Sequence, residues 1–291
     1  MFAVLSMLSI GILGILSKIA ERRYGNPLNT ALTLFGGSAL IMSGYVAVIQ
    51  RASLVPPRAV GGYAVFFGAL AILALWTFLY GLQFGKITTS WIFMNLSAVI
   101  PAALSTIIYN EKINFVKAAV LGFVVISIIL LWKDKQVESE EQETHGPGNG
   151  KIWLVAMLSA FLLNGVCPFG LRILSARGLA HQYTAVYLVY WYLAGFVFGL
   201  VGLIKVRQRI SLLNFGIGLL MSAASVGGQF FMGLALSNGA PGSVVYMLSM
   251  GASLCIVVLG GVLFLGEKVG FYAKVGIAVG LTAAVLLGTG G

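Results

Sequence analysis

The stretch ISLLNFGIGLLMSAASVGGQFFMGLALSNGAPGSVVYMLSMGASLCIVVLGGVLFLG, residues 210–266, runs for 57 positions without one charged side chain. Crossing a bilayer core takes a single helix of about 20 apolar residues, so this run holds more than one. Near its middle stands Asn238-Gly239-Ala240-Pro241-Gly242, a dense cluster of turn formers. The run therefore reads as two membrane spans, about 211–236 and 242–265, joined by a tight turn.

The rest of the chain is built the same way. Apolar runs lie at about 2–22, 28–50, 60–84, 88–109 and 114–132, then at about 152–174, 181–204 and 270–288, which brings the total to ten. Charges and turn formers coincide at the breaks: Glu21-Arg22-Arg23-Tyr24-Gly25-Asn26-Pro27 closes the first span, and Arg51 to Arg58, with Pro56-Pro57, closes the second. Of the 291 residues, 59% are hydrophobic and 9% charged, with a mean hydropathy of +0.99. So few charges cannot coat a water-soluble surface. The fold class is all-α integral membrane, multi-pass, in an inner or plasma membrane, and the 38 glycines suit helices that pack by close backbone approach.

The net charge of +10 comes from Lys and Arg in short clusters between apolar runs, which places them at headgroup level against membrane lipids and gives no nucleic-acid surface. Cys167 and Cys255 lie inside apolar runs and read as packing residues, so no disulfide, metal or cofactor site is expected. No positive leader precedes the first run, which reads as a retained helix. Residues 133–150 differ from everything else: five of the eight acidic residues and His145-Gly146-Pro147-Gly148 mark a solvated linker between a first repeat, 1–132, and a second, 151–291.

The two halves correspond. A shift of 154 places Gly11 on Gly165, Lys18 on Arg172, Arg23 on Arg177 and Arg51 on Lys205. A shift of 152 places Leu96-Ser97 on Leu248-Ser249, and one of 156 places Glu111-Lys112 on Glu267-Lys268. Charges are rare here, so their recurrence at the same stage of each half indicates duplication. Five spans per half is an odd number, which turns the second repeat upside down relative to the first, the plan of many secondary transporters.

Tyr109-Asn110-Glu111-Lys112, Leu265-Gly266-Glu267-Lys268, Pro101 before Glu111 and a glycine-rich last span together resemble the EamA-type branch of the drug/metabolite transporter superfamily. The resemblance extends over nearly the whole chain, although Ser253 stands near the place where the second half would match Pro101. It implies a ten-helix transporter whose central cavity is lined mainly by the first, third and fourth helices of each half.

Candidates for substrate contact follow from polar groups inside the spans. Lys18 and Arg172 are cations that either face a cavity and attract an anion or snorkel to the interface. Trp76, Tyr80 and Gln83 share one face of the third helix by spacing, Asn95 and Ser97 stand in the fourth, and Asn164, Gln229, Tyr246, Ser249 and Ser253 are the second-half set. Glu111 and Glu267 lie at tight links and read as helix-terminal structural carboxylates. Pro168 should interrupt the sixth helix. Tyr187, Tyr190, Trp191 and Tyr192 read as an aromatic belt or lipid-facing surface, and Gly81/Gly85, Gly195/Gly199 and Gly276/Gly280 as packing seams.

Neither Asp, Glu nor His lies deep in a span, and no Walker A loop is present. Carrier action on a small metabolite of the amino-acid, sugar or organic-anion class fits best, with a homodimer left open. A membrane-embedded lipid-modifying enzyme or a non-transporting subunit is the alternative, but no nucleophile or acid/base cluster supports the enzyme. The family's orientation, with a cytoplasmic N-terminus, puts six of the 18 cations inside, whereas the positive-inside rule prefers the reverse. A cysteine placed in the 133–150 linker reacts with an impermeant maleimide from outside under the first orientation and only from inside under the second.

Overall fold

In the computed structural model, residues 1–24, 27–85, 87–109, 149–206, 212–246 and 270–289 are described continuously, with single residues or pairs within 119–137 and 249–263. A backbone in hydrocarbon has no water to bond, so a spanning segment must satisfy its own amides and carbonyls, and the helix does this locally. The described helices are α1 (Phe2–Tyr24), α2 (Pro27–Gly44, continued by a π-helical turn Tyr45–Gln50), α3 (Arg58–Leu82), α4 (Ile87–Leu96) and α5 (Val99–Ile108). After them come α6 (Asn149–Val166), α7 (Phe169–Ala176), α8 (Ala180–Val206), α9 (Leu212–Ser237), α10 (Gly242–Tyr246) and α11 (Phe271–Thr289).

Among the described residues, five segments are long and apolar enough to cross a membrane: Asn29–Gln50, Arg58–Leu82, Gly150–Ala176, Ala180–Gly202 and Gly216–Ser237. Shorter apolar helices cover Phe2–Ser17, Phe93–Ser105 and Phe271–Gly280. The molecule is an all-helical, multi-pass membrane protein. Most of the spans expected at 114–132 and 242–265 fall outside the described residues, as do Glu111, Lys112, His145, Cys255, Glu267 and Lys268.

The outer faces are apolar at helical spacing. Val4, Leu8 and Ile12 are exposed along α1, Val155, Leu158 and Leu162 along α6, and Val197, Phe198 and Val201 along α8. In water such stripes would drive aggregation; against lipid they are the surface. Two helix ends need glycine. Gly178 (φ 70°) and Gly239 (φ 81°) take the left-handed conformation, and each lets the next amide reach back across the turn: Leu179 N–H to the Leu174 carbonyl (2.9 Å) and Ala240 N–H to the Ala235 carbonyl (3.2 Å).

Inside, α1 packs along α9, α2 along α8 and α9, α3 along α6 and α8, and α4 against α6. Glycine makes these approaches close. Gly195 and Gly199 of α8 receive Phe35 and Leu32 of α2, while Gly81 and Gly85 at the end of α3 receive Met157 and Trp153 of α6. Serines then bond across the seams: the Ser6 hydroxyl donates to the Gly228 carbonyl at 2.7 Å, and Ser222 donates to the Leu34 carbonyl at 3.0 Å. Because α8 lies between α2 and α3, the aromatic cluster on it is not a lipid-facing belt. Tyr187, Trp191 and Tyr192 are buried, and Tyr190 is half-buried.

The start of the expected linker is docked as well. Asp134 is buried and accepts the Ala273 N–H at 3.0 Å, so it caps the first turn of α11, and the Lys133 ammonium lies 4.5 Å from the centre of the Tyr272 ring. A charged pair that composition assigns to solvent is therefore docked against α11.

At Gly68 an added Cβ would meet the backbone carbonyl of Trp191, which cannot rotate away, whereas at Gly62 nothing lies within 4 Å. Gly68→Ala is expected to destabilise by about 1–3 kcal/mol, read as a lower unfolding temperature in detergent. Gly62→Ala should leave it unchanged or slightly raised.

Candidate functional site

Two helices break near the middle of the molecule, and the site is built from those breaks. Between α4 and α5 the Ala98 N–H bonds the Asn95 carbonyl (3.1 Å) and the Ile100 N–H bonds the Ser97 carbonyl (2.9 Å). This tight turn takes from the Met94 carbonyl the donor a continuous helix would give it. Asn164 of α6 supplies a replacement: its Nδ2 donates to the Met94 carbonyl at 3.2 Å and to Ser97 Oγ at 2.8 Å, and the Ser97 hydroxyl donates to the same carbonyl. Beside it, Asn95 Nδ2 donates to the Trp91 carbonyl at 2.8 Å, and Ser253 Oγ donates to Asn95 Oδ1 at 2.8 Å.

The second break lies between α6 and α7, at Cys167-Pro168. Proline has no N–H, so the Asn164 carbonyl loses its helical donor there. The Pro168 carbonyl accepts the buried Tyr246 hydroxyl of α10 at 3.0 Å. One turn further along, the half-buried Arg172 guanidinium lies 4.8 Å from the centre of the Tyr109 ring at the end of α5.

A cavity of about 100 Å³ lies between the breaks. It is lined by Ile10, Leu13 and Ser17 of α1, Leu34 and Phe35 of α2, Ala71, Leu75 and Phe78 of α3, and Trp91, Met94 and Asn95 of α4. From the second half come Asn164, Cys167 and Pro168 at the α6–α7 break, Trp191 of α8, Ser225, Gln229 and Met232 of α9, and Met250. Among the described lining residues no side chain is charged. An apolar wall with a few placed polar groups is the usual make-up of a small-molecule site.

Of the residues singled out by sequence, Asn95, Asn164 and Gln229 line this cavity. Ser253 stands behind Asn95, and Tyr246 stands behind Pro168. Ser249 is buried, and its hydroxyl makes no hydrogen bond among the described residues. The Trp76–Tyr80–Gln83 face points elsewhere. Trp76 packs on Gly202 of α8, Tyr80 is 45% exposed with its ring edge-on to Phe84, and Gln83 is exposed at the end of α3. Helix α3 instead turns Ala71, Leu75 and Phe78 inward, a face with the same spacing but no polar atom to mark it. Arg172 is absent from the lining and held by Tyr109, while the side chain of Lys18 lies outside the described residues. Trp91, Trp191 and Cys167 do line the cavity, and in a chain this rich in apolar residues their sequence context does not distinguish them from packing.

Comparison with known proteins agrees with this architecture. Residues 1–133 match the EamA-like transporter family, so the resemblance read from sequence is shown for the first half. No curated protein matches. A protein of known crystal structure superposes with a TM-score of 0.67 at 15% identity, covering 99% of this chain and 97% of its own, a likeness of fold.

The bonding of Asn164 and Gln229, two of the three lining amides, separates their roles. Asn164→Leu removes two hydrogen bonds at the α4–α5 break, to the Met94 carbonyl and to Ser97 Oγ, and should destabilise by about 1–3 kcal/mol. Gln229 makes no side-chain hydrogen bond among the described residues, so Gln229→Leu should stay within about 0.5 kcal/mol of the parent. Thermal unfolding of the two purified variants checks the contrast.

Proposed function

We propose that this chain, with a first half that matches the EamA-like transporter family, is a secondary carrier in the inner or plasma membrane that moves a small metabolite by alternating access to the cavity between its halves. The observation that carries this reading is the pattern of helix partners. Count the spans in order and take α4–α5 as the fourth, α6–α7 as the sixth, α8 as the seventh and α9 as the eighth. Exchanging every span with the one five places away turns the α1–α9 contact into α6–α3, and the α3–α8 contact into α9–α2, while α2–α8 maps onto itself. All five pairings exist. An inverted duplication of ten spans requires this closure; apolar composition alone does not. It supports the architecture in which two equivalent halves rock about a site between them.

The breaks give that motion a place to act. The α6–α7 joint at Pro168 carries both a lining residue and, one turn beyond, Arg172 on the Tyr109 ring. In this reading the Tyr246–Pro168 hydrogen bond and the Arg172–Tyr109 contact, which hold α10 and α5 to the α6–α7 joint, serve as the closure on that side of the cavity. Opening it means separating α10 and α5 from α7, and the hinge at Pro168 lets α7 swing without straining the backbone hydrogen bonds of α6.

Purified protein in proteoliposomes is expected to show saturable uptake and counterflow from a mixture of amino acids, sugars and organic acids. Absence of protein-dependent flux for every class would contradict carrier action. Pro168→Ala, which restores helical continuity, should slow flux by about tenfold with little loss of stability, because it stiffens the step that exposes the site.

A further inference from the structure

We infer that the cavity is built for an uncharged, carbonyl-bearing solute whose acceptor is read by the indole N–H of Trp91. The inference rests on the carrier reading of the cavity and narrows its substrate class.

Trp91 lines the cavity, is 5% exposed, and its indole N–H has no hydrogen-bond partner among the described residues. Buried indole N–H groups ordinarily find a partner, so a lining tryptophan without one is a donor awaiting an acceptor. The remaining polar lining is mostly engaged. The Ser17 hydroxyl donates to the Leu13 carbonyl at 2.8 Å, the Cys167 thiol to the Leu163 carbonyl at 3.0 Å, and Ser225 pairs with the Tyr192 hydroxyl at 2.9 Å. The Asn164 amide nitrogen is used twice, which leaves its Oδ1 as an acceptor. Gln229 adds a donor and an acceptor. One fixed donor, one fixed acceptor and one amide complement a primary or secondary amide.

Charge is selected against. The described lining offers no counter-ion, and an ion moved from water into an apolar cavity without one is strongly disfavoured. Aromatic rings could cage a cation through their faces. Here those faces serve each other: Phe35 stacks on Trp191 at 5.4 Å, and Phe78 meets Trp91 edge-to-face at 5.2 Å. Arg172, the nearest cation on the lining helix pair, is engaged by Tyr109.

Isobutyramide, isobutyrate and isobutyramidinium share nearly one shape, small enough for the cavity, and are neutral, anionic and cationic. Their binding to purified full-length protein is measured by ligand-observed NMR, and by uptake into proteoliposomes. Isobutyramide should bind at least about tenfold more tightly than either ion. Trp91→Phe should weaken isobutyramide by about three- to tenfold, the value of one neutral hydrogen bond. Trp76→Phe makes the same chemical change at a buried, equally unpartnered indole N–H outside the cavity, and should have no effect.

Binding of isobutyramide no tighter than that of the ions, in the parent protein alone, overturns the inference whether or not the Trp91 variant folds. Equal effects of Trp91→Phe and Trp76→Phe overturn the role of Trp91. Uptake of an ion without uptake of the amide removes this substrate class and leaves the carrier reading standing. Amide binding with no flux of any solute keeps the site and removes the carrier.

Discussion

A peptide carbonyl released within a bilayer has no water to turn to, and the Met94 carbonyl is released because the fourth span stops being helical at Leu96. Asn164 reaches it from α6, and the bond can form only when α4 and α6 are in register. A break in the first half of the chain is thus made tolerable by a side chain from the second. Residues at both interrupted spans line the cavity, and each interruption is held from outside its own helix: Asn164 and Ser253 at the first, Tyr246 at the second.

The seams around this centre allow it to stay narrow. Phe35 sits against Gly195, Leu32 against Gly199, Trp76 against Gly202 and Trp153 against Gly85. In each pair a large side chain of one half enters the space left by a missing Cβ of the other. Without a hydrophobic driving force between helices in lipid, such close approach and the serine hydrogen bonds across it are what bind the halves together. Among the described residues neither device is a covalent or ionic link, which suits the rocking motion of the proposed carrier.

Much of this could be read before any coordinates. The charge-free run 210–266 and the turn at Asn238–Gly242 fix membrane class and span length; α9 begins and ends where those signals place it, and α10 begins at Gly242. Asn95, Asn164 and Gln229 stand out because an amide in an apolar helix needs a partner or a ligand, and all three line the cavity. The failures have one physical origin. Helical spacing tells which residues share a face but not which way that face turns, so Trp76, Tyr80 and Gln83 were as plausible as Ala71, Leu75 and Phe78. The aromatic run Tyr187–Tyr192 imitates an interfacial belt, yet this stretch of α8 is packed against α2 and α3, and only tertiary packing reveals this. Asp134 looks like linker by composition, and its capping of α11 joins residues 139 apart.

Cys167, a free buried cysteine in the cavity wall, reports on the central claim without a foreign probe. In a Cys255→Ser background it can be exposed to a membrane-impermeant maleimide applied to either face of oriented proteoliposomes under flux conditions. Alternating access predicts that Cys167 is alkylated from both faces, and that a transported solute slows both reactions. Alkylation from one face alone, however long the exposure and with flux continuing, would contradict a site shared by two halves that open in turn.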